Sequence, residues 1–172
     1  FENCKSIKLL TVGRLEEQKG YDIAIEVCKK LKEEGLQFEW FILGEGTLRK
    51  QLESEIEKKK IENCFHLLGV KTNPYPYFKN TDIYVQTSKH EGYVTTVTEA
   101  KILNKPIVCT DVSGAREQLI DNINGSITEI NVNSVYNKLK ELMIDKNKRD
   151  TYIKELEQEN GLNKPNWLVY FE

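Results

Sequence analysis

Histidine is scarce in this chain of 172 residues: His66 and His90 are the only two, and they lie far apart in the sequence. This scarcity argues against a metal site built on several imidazoles and against a catalytic triad that depends on histidine. The four cysteines lack the spacing of a zinc site, and three of them lie in apolar strand or helix contexts. We therefore interpret the cysteines as buried, reduced thiols, which indicates a cytoplasmic protein.

Long apolar runs and an excess of one charge are also missing. No apolar run approaches the roughly 20 residues that a membrane span needs, and no signal peptide is visible. The net charge is only −2, so no overall positive field would draw the protein to nucleic acid. With 39% hydrophobic and 30% charged residues, the composition predicts one globular domain. Because the chain begins with Phe1 and not with methionine, we expect it to be part of a longer protein.

Two common nucleotide-binding signatures are missing or incomplete. No G-x-x-x-x-G-K-[ST] sequence occurs, which argues against a P-loop. Gly44 and Gly46 begin a dinucleotide-binding fingerprint, but Arg49 occupies the position of its third glycine. The sequence therefore gives little support to NAD binding.

Apolar runs that predict strands alternate with segments of helical periodicity along almost the whole chain. The predicted strands comprise residues 8–12, 38–43, 65–68, 83–86, 106–110 and 126–128. The predicted helices comprise residues 21–32, 48–56, 94–103, 115–120, 132–144 and a charged segment to about 158, with a proline-marked turn or helix at 73–78. Because the strands are continuous apolar runs, we predict an α/β, Rossmann-like parallel sheet of about six strands with helices on both faces.

The last residues break this alternation. We expect one Rossmann-like domain at residues 1–160 and a C-terminal apolar tail at 161–172, in which Trp167 and Phe171 bound an aromatic and aliphatic cluster. An uncovered cluster of this kind would be an exposed apolar patch, which suggests a docking surface. The alternative is that the tail packs back on its own domain.

The stretch at residues 87–100 is the most informative part of the chain. It leaves the fourth predicted strand, turns at Gly92 and enters a helix, with Glu91 before the turn and Glu99 inside the helix. An unpaired carboxylate buried among valine, threonine and alanine costs roughly several kcal/mol, so Glu99 needs a partner or a ligand. The N–H groups at the start of this helix form a ready anion site. The alternative is a salt-bridged loop and a helix-capping acid.

A sheet of this class predicts where a ligand would bind. In the strand order 3-2-1-4-5-6, strands one and four are neighbours, and ligands bind beyond their C-terminal ends. The loop at residues 13–20 would then face the turn at Gly92, and it brings the two cations Arg14 and Lys19. Fixed N–H donors and two positive charges are suited to a pyrophosphate. Ordinary surface charge is the alternative for both cations.

Several short motifs follow one another in a characteristic order. They are V-G-R-L and K-G at residues 12–20, G-E-G at 44–46, N-P-Y at 73–75, E-x7-E at 91–99, and K-P-I-V, T-D and G at 105–114. Each motif is weak alone, but the ordered set resembles the C-terminal, donor-binding half of a group 1 (family 4) glycosyltransferase of the GT-B fold. The resemblance covers residues 7 to about 155.

The resemblance implies a role for each matching position. Arg14 and Lys19 would neutralise the diphosphate of a nucleotide sugar, and Glu91 would accept hydrogen bonds from hydroxyls of the donor sugar. Glu99 would bind the ribose hydroxyls, which accounts for an acid in an apolar helix. The remaining binding positions are Gly13 in the first loop, Val70 and Lys71 near the base, and the backbone of Gly92, Tyr93, Val94 and Thr95 at the distal phosphate.

The resemblance also implies a reaction and a missing part. Family members transfer sugar with retention and need no metal or further cofactor, because cations and a helix start stabilise the leaving nucleoside diphosphate. The resemblance implies that the N-terminal, acceptor-binding domain is not part of this chain, so we expect little or no transfer by this piece. Surface polysaccharide synthesis in the cytoplasm, with the full enzyme associating peripherally with the inner face of the membrane, is the implied setting. Thr95, Thr96 and Thr98 depart from the family, which more often has aliphatic residues there.

Two other classes of function stay open at this stage. A related GT-B sugar-nucleotide enzyme, such as an epimerase, should carry further catalytic acids and histidines, of which the chain has few. A non-catalytic α/β nucleotide-binding or regulatory module is the second. A receiver-type module should carry an acidic pair after strand one and a phosphoacceptor acid after strand three. Strand one is followed here by Gly13 and Arg14, which disfavours that module.

Overall fold

A computed structural model describes residues 6–162 as one parallel sheet with helices on both faces. The strands are β1 (Ile7–Val12), β2 (Phe38–Leu43), β3 (Phe65–Leu67), β4 (Ile83–Gln86), β5 (Ile107–Thr110) and β6 (Ser126–Thr128). Their order is β3-β2-β1-β4-β5-β6, and every neighbouring pair is parallel. The predicted fold class and strand order are confirmed, and each strand's bounds differ from the prediction by at most one residue.

Seven α-helices connect or follow these strands in the described part of the chain, besides a short 3₁₀ helix at Glu17–Lys19. They are α1 (Tyr21–Glu33), α2 (Arg49–Lys58), α3 (Tyr75–Asn80), α4 (Thr95–Ile102), α5 (Ala115–Gln118), α6 (Val132–Ile144) and α7 (Lys146–Leu162). Helix α7 continues past residue 158, so the predicted end was early, and the expected boundary at 160/161 falls inside this helix. The rest of the predicted tail lies outside the described residues.

The sheet separates two apolar cores, because successive side chains of a strand point to opposite faces. On β1, Leu9 lies in the core formed with α1, α2 and α6, whereas Leu10 lies in the core formed with α3, α4 and α5. Trp40 and Phe41 divide between the same two cores on β2. Burial on both faces is what makes these strands continuous apolar runs in the sequence.

The cysteine interpretation can be compared with the structure at three positions. Cys28, Cys64 and Cys109 are free and buried, as expected, and Cys4 lies outside the described residues. Burial raises the pKa of the Cys109 thiol to about 12. The sulfurs of Cys28 and Cys64 lie 3.6 Å apart. Among residues 6–162, no helix is both long enough and apolar enough to cross a membrane.

Candidate functional site

The loops that leave β1 and β4 are joined side by side at the C-terminal edge of the sheet. The Lys89 N–H donates to the Gln18 carbonyl at 2.7 Å, and the Thr87 hydroxyl donates to the Lys19 carbonyl at 3.1 Å. Gly20 lies so close to Thr87 that a Cβ at this glycine would overlap the Thr87 carbonyl oxygen. The two loops therefore form a single unit at the point where the strand order reverses.

Lys19 and Glu91 form an ion pair across these loops. The Lys19 Nζ donates to Glu91 Oε1, and the two side chains are only 15% and 12% exposed. The same carboxylate oxygen accepts a hydrogen bond from the Ser88 hydroxyl at 2.9 Å. Lys19 and Glu91 therefore neutralise one another, which is the contact that a salt-bridged loop would show.

A chain of buried hydrogen bonds runs along β4 to Glu91. The Tyr84 hydroxyl donates to Gln86 Oε1 at 2.8 Å, and the Gln86 amide donates to the Ser88 hydroxyl at 2.6 Å. Ser88 then donates to Glu91, so every donor is directed toward the carboxylate. Lys19 and Ser88 both bind Oε1, while Glu91 Oε2 has no hydrogen-bond partner among residues 6–162.

We expect Ser88→Ala to lower the free energy of unfolding by about 1–3 kcal/mol, the usual cost of a buried polar group left without its partner. The substitution removes the acceptor of the Gln86 amide and one of the two donors to Glu91. Urea denaturation would measure the change. Ser54→Ala is the control, because Ser54 is exposed on α2 and should change stability by less than about 0.5 kcal/mol. Equal midpoints for the two variants would contradict the prediction.

Arg14 lies in the same loop as Lys19 but has a different environment. Its side chain is exposed, and its guanidinium makes no hydrogen bond or ion pair within the described residues. The neighbouring Gly13 carbonyl accepts a 2.9 Å hydrogen bond from the Tyr21 hydroxyl. Burial, together with the charge of Glu91, raises the pKa of the Tyr21 phenol. The structure therefore joins Lys19, and not Arg14, to Glu91.

A cleft of about 560 Å³ opens beside the Glu91 turn. Residues of the loops after β1, β4 and β5 line it, together with one exposed isoleucine after β6: Gln18, Lys89, His90, Glu91, Gly92, Asp111, Val112, Ser113 and Ile130. Asp111 is held by Arg116, whose Nε and Nη2 donate to it at 3.0 and 2.6 Å. Of the predicted site residues, only Glu91 and Gly92 line this cleft.

The turn between Glu91 and α4 keeps most of its backbone donors free. Gly92, Tyr93 and Thr95 are exposed, and their N–H groups have no hydrogen-bond partner among residues 6–162. Val94 differs, since it is buried and its N–H donates to Gln118 Oε1 at 3.3 Å. Three of the four predicted N–H groups are therefore available to an anion.

Glu99 is half-buried on α4 and has no partner. Within the described residues, no hydrogen bond or ion pair reaches its carboxylate, and burial raises the pKa of that group. The first turn of α4 holds no acid, so Glu99 is not a helix-capping residue. Glu99 is therefore neither salt-bridged within the described residues nor a helix cap, and its carboxylate is available to a ligand.

The predicted base-binding residues lie further along the same edge. Val70 and Lys71 follow β3, and the Gly44 N–H donates to the Gly69 carbonyl at 3.0 Å, which ties the loops after β2 and β3 together. Val70 is 70% exposed. The structure does not bring Val70 or Lys71 into the cleft beside Glu91. Within residues 6–162, no three His, Cys, Asp or Glu side chains are grouped to hold a metal ion.

Sequence reasoning missed two polar residues that shape the site. Ser88 could have been found, because polar groups recur at every second position from Tyr84 and so share one face of β4. Gln118 gives no such signal, since it lies at the end of a four-residue helix. Only the packing of α5 against α4 makes its role visible.

A doubly wound parallel sheet with free N–H groups and carboxylates at its switch point defines a Rossmann-like α/β class of domain. The family model described as glycosyl transferases group 1 matches residues 2–159, and the chain belongs to this family.

The relatives and solved structures agree with this assignment. The N-acetylgalactosamine-N,N'-diacetylbacillosaminyl-diphospho-undecaprenol 4-alpha-N-acetylgalactosaminyltransferase of Campylobacter jejuni is 34% identical over 146 residues, which cover 84% of this chain and 39% of the relative. A structure of Staphylococcus aureus TarM in complex with Fondaparinux, alpha-GlcNAc-glycerol and UDP superposes with a TM-score of 0.84 at 25% identity, over 90% of this chain and 32% of that one.

A structure of an isolated domain matches over most of its own length. The C-terminal domain of the group 1 glycosyl transferase family protein LpcC from Francisella tularensis gives a TM-score of 0.80 at 21% identity, and the match covers 93% of this chain and 87% of that one. The chain spans between 27% and 40% of the length of the curated relatives that it matches. The group 1 glycosyltransferase family and the fold of a C-terminal GT-B domain are thereby established.

Proposed function

We propose that this chain is the donor-binding half of a glycosyltransferase that transfers a sugar, with retention, from a nucleoside-diphosphate sugar to a glycan or another acceptor. The observation that supports it most directly is the Lys19–Glu91 ion pair across the switch point, beside free N–H groups and an unpaired Glu99. This arrangement offers a cation, an anion site and two hydroxyl acceptors within two connected loops and one helix.

Each group has a role in the proposed reaction. Lys19 and Arg14 bind the diphosphate, and the free N–H groups at the start of α4 hold its distal phosphate. Glu91 Oε2 accepts a hydrogen bond from a sugar hydroxyl, and the Glu99 carboxylate accepts hydrogen bonds from the ribose hydroxyls. When the bond between the anomeric carbon and the phosphate oxygen breaks, negative charge develops on the leaving diphosphate. Fixed cations and N–H dipoles stabilise that charge, so the proposal requires no metal.

The proposal assigns the acceptor site to a second domain. The TarM structure contains UDP together with glycan ligands, but this chain matches only 32% of it. We propose that an N-terminal domain completes the cleft and that the full enzyme works in the cytoplasm, at the inner face of the membrane, in surface polysaccharide synthesis. The name of the Campylobacter relative, with its diphospho-undecaprenol, supports such a setting. Full-rate transfer by this 172-residue chain alone would contradict the division of roles.

Nucleotide binding tests the proposal. We expect the melting temperature to rise with UDP, GDP or ADP, and Arg14→Ala to weaken that binding about tenfold, because a hydrogen bond to a charged group contributes about 1.5–3 kcal/mol. Isothermal titration calorimetry would measure the dissociation constants. Lys154→Ala removes a charge of the same sign from an exposed position on α7 and should leave binding unchanged. A response to NAD alone would end the proposal.

A further inference from the structure

Helix α5 contacts the turn before α4 at its start and α4 itself at its end. At its start, Gly114 has a left-handed φ of +82°, and a Cβ there would overlap the Gly92 carbonyl oxygen. At its end, the Gln118 carbonyl accepts a 2.5 Å hydrogen bond from the Lys101 Nζ on α4. Lys101 also pairs with Glu159 of α7 at 2.7 Å. The backbone of Gln118 is therefore fixed relative to α4 before its side chain is considered.

The Gln118 side chain binds both backbone groups of Val94. Gln118 is only 6% exposed, and its Oε1 accepts from the Val94 N–H at 3.3 Å while its Nε2 donates to the Val94 carbonyl at 3.0 Å. Val94 is the residue that precedes α4, and no side chain within the first turn caps this helix. An amide from another helix thus holds the backbone where a local cap would normally act.

The hydrogen bonds of Gln118 help to hold the peptide group that carries the neighbouring N–H. In a planar trans peptide, the carbonyl of one residue and the N–H of the next point in opposite directions. The Val94 carbonyl accepts hydrogen bonds from Gln118 Nε2 and from the N–H groups of Val97 and Thr98, at 3.0, 3.0 and 3.3 Å. The Thr95 N–H therefore points away from these three donors, and Thr95 is exposed. This N–H is one of the three free donors at the start of α4.

Thr98 belongs to the same network. Its hydroxyl accepts a 2.7 Å hydrogen bond from Gln118 Nε2 and lies 3.0 Å from the Tyr93 hydroxyl. Thr98 thereby supplies a second acceptor for the Gln118 amide, besides the Val94 carbonyl. The network links Tyr93, Val94 and Thr98 to one buried side chain on α5.

We propose that Gln118 is a positioning residue that orients the N–H groups before α4 toward the distal phosphate of the nucleotide, with Thr98 as its second anchor. The inference rests on the proposed function, since it assumes a nucleoside diphosphate in the site. Gln118 itself does not touch the ligand. Its effect is therefore confined to the distal phosphate and does not extend to the base, the ribose or the proximal phosphate.

Comparison of UDP with UMP tests this assignment, because only UDP carries the distal phosphate. We expect Gln118→Leu to weaken UDP binding about five- to tenfold, the loss typical of one misaligned hydrogen bond to a charged group. Its affinity for UMP should stay within about twofold of that of the unaltered chain. Thr98→Val should weaken UDP binding about two- to threefold, because it removes the second anchor of the Gln118 amide. The double variant should bind UDP no more weakly than Gln118→Leu alone, because residues of one network are not additive. Calorimetry on the 172-residue chain gives all of these values.

The outcomes separate this inference from the proposed function. If Gln118→Leu binds UDP as tightly as the unaltered chain, or loses affinity for UDP and UMP equally, the positioning role is overturned and the proposed donor site is not. If Gln118→Leu does not fold, Thr98→Val decides, and unchanged UDP binding by that variant would also overturn it. The unaltered chain is also titrated with GDP, with GMP as the reference. If it binds neither UDP nor GDP, the proposed function itself fails.

Discussion

Replacing Gly20 with alanine is expected to separate the two loops of the site and to lower the free energy of unfolding by about 3 kcal/mol or more, which places it among the severe single substitutions. Gly20 has a left-handed φ of +65°, which strains any residue with a Cβ. The added Cβ would also overlap the Thr87 carbonyl oxygen. Backbone cannot rotate out of the way as a side chain can, so the loops after β1 and β4 must part.

The consequence for the site follows from the contacts on either side of Gly20. Its neighbour Lys19 reaches Glu91, and Thr87 donates to the Lys19 carbonyl. When the loops part, the ion pair and this hydrogen bond are lost together. We therefore expect Gly20→Ala to show no measurable UDP binding at concentrations that saturate the unaltered protein, even at temperatures where the variant is still folded.

Gly35→Ala is the matched control for this experiment. Gly35 has a φ of +78°, similar to that of Gly20, but no atom lies within 4 Å of a Cβ built there. Its substitution should cost only the conformational strain, about 1–2 kcal/mol. Urea denaturation of both variants isolates the contact with Thr87, since the strain is common to both. Equal losses of stability would show that the two loops adjust to each other freely.

The fold was predictable from the sequence because burial on both faces determines the apolar runs of a parallel sheet. The bounds of β2, β4, β6 and α6 agree with the prediction to the residue. The end of α7 was missed, since its charged sequence resembles that of a solvated segment. Four more residues are helical there, and Asn160 among them donates to the Lys101 carbonyl at 2.9 Å. That contact is tertiary and leaves no periodic pattern.

The candidate site was predictable at the level of loops but not of contacts. The strand order brings the loop with Lys19 opposite Glu91, as expected from topology alone. The ion pair between them depends on side-chain reach, which an order of strands does not specify. The same limit applies to Gln118, whose three hydrogen bonds arise only from the way α5 packs beneath the turn.

The two acids that bracket the turn looked alike in the sequence, and the structure separates them. Glu91 is neutralised by Lys19 and accepts a hydrogen bond from Ser88. Glu99 has neither an ion pair nor a hydrogen bond within residues 6–162, although it is half-buried. A folded protein gains nothing from an uncompensated carboxylate, because burial disfavours its charged form. The proposed role in binding the ribose hydroxyls would supply the partner that Glu99 lacks within residues 6–162.

Glu99→Gln should stabilise the free protein and weaken its nucleotide binding at the same time. Because burial raises the pKa of Glu99 in the folded state, the folded protein holds that proton to a higher pH than the unfolded chain does. Stability therefore falls as the pH rises from the ordinary carboxyl range through the raised pKa, and the penalty is complete above it. A neutral glutamine removes this penalty, so the melting temperature near neutral pH should rise and its decline with pH should flatten.

The same substitution should weaken UDP binding about tenfold to a hundredfold, since a hydrogen bond to a charged group contributes about 1.5–3 kcal/mol. An amide has only one acceptor oxygen, so glutamine cannot replace both oxygens of the carboxylate. Glu57→Gln on the exposed face of α2 is the control, and it should change neither quantity. The combination is informative because a purely structural acid would lose stability on substitution and leave the ligand unaffected. A free protein that gains stability while losing its ligand is the behaviour of a residue kept for binding. A lowered melting temperature, or unchanged UDP affinity, would remove Glu99 from the site.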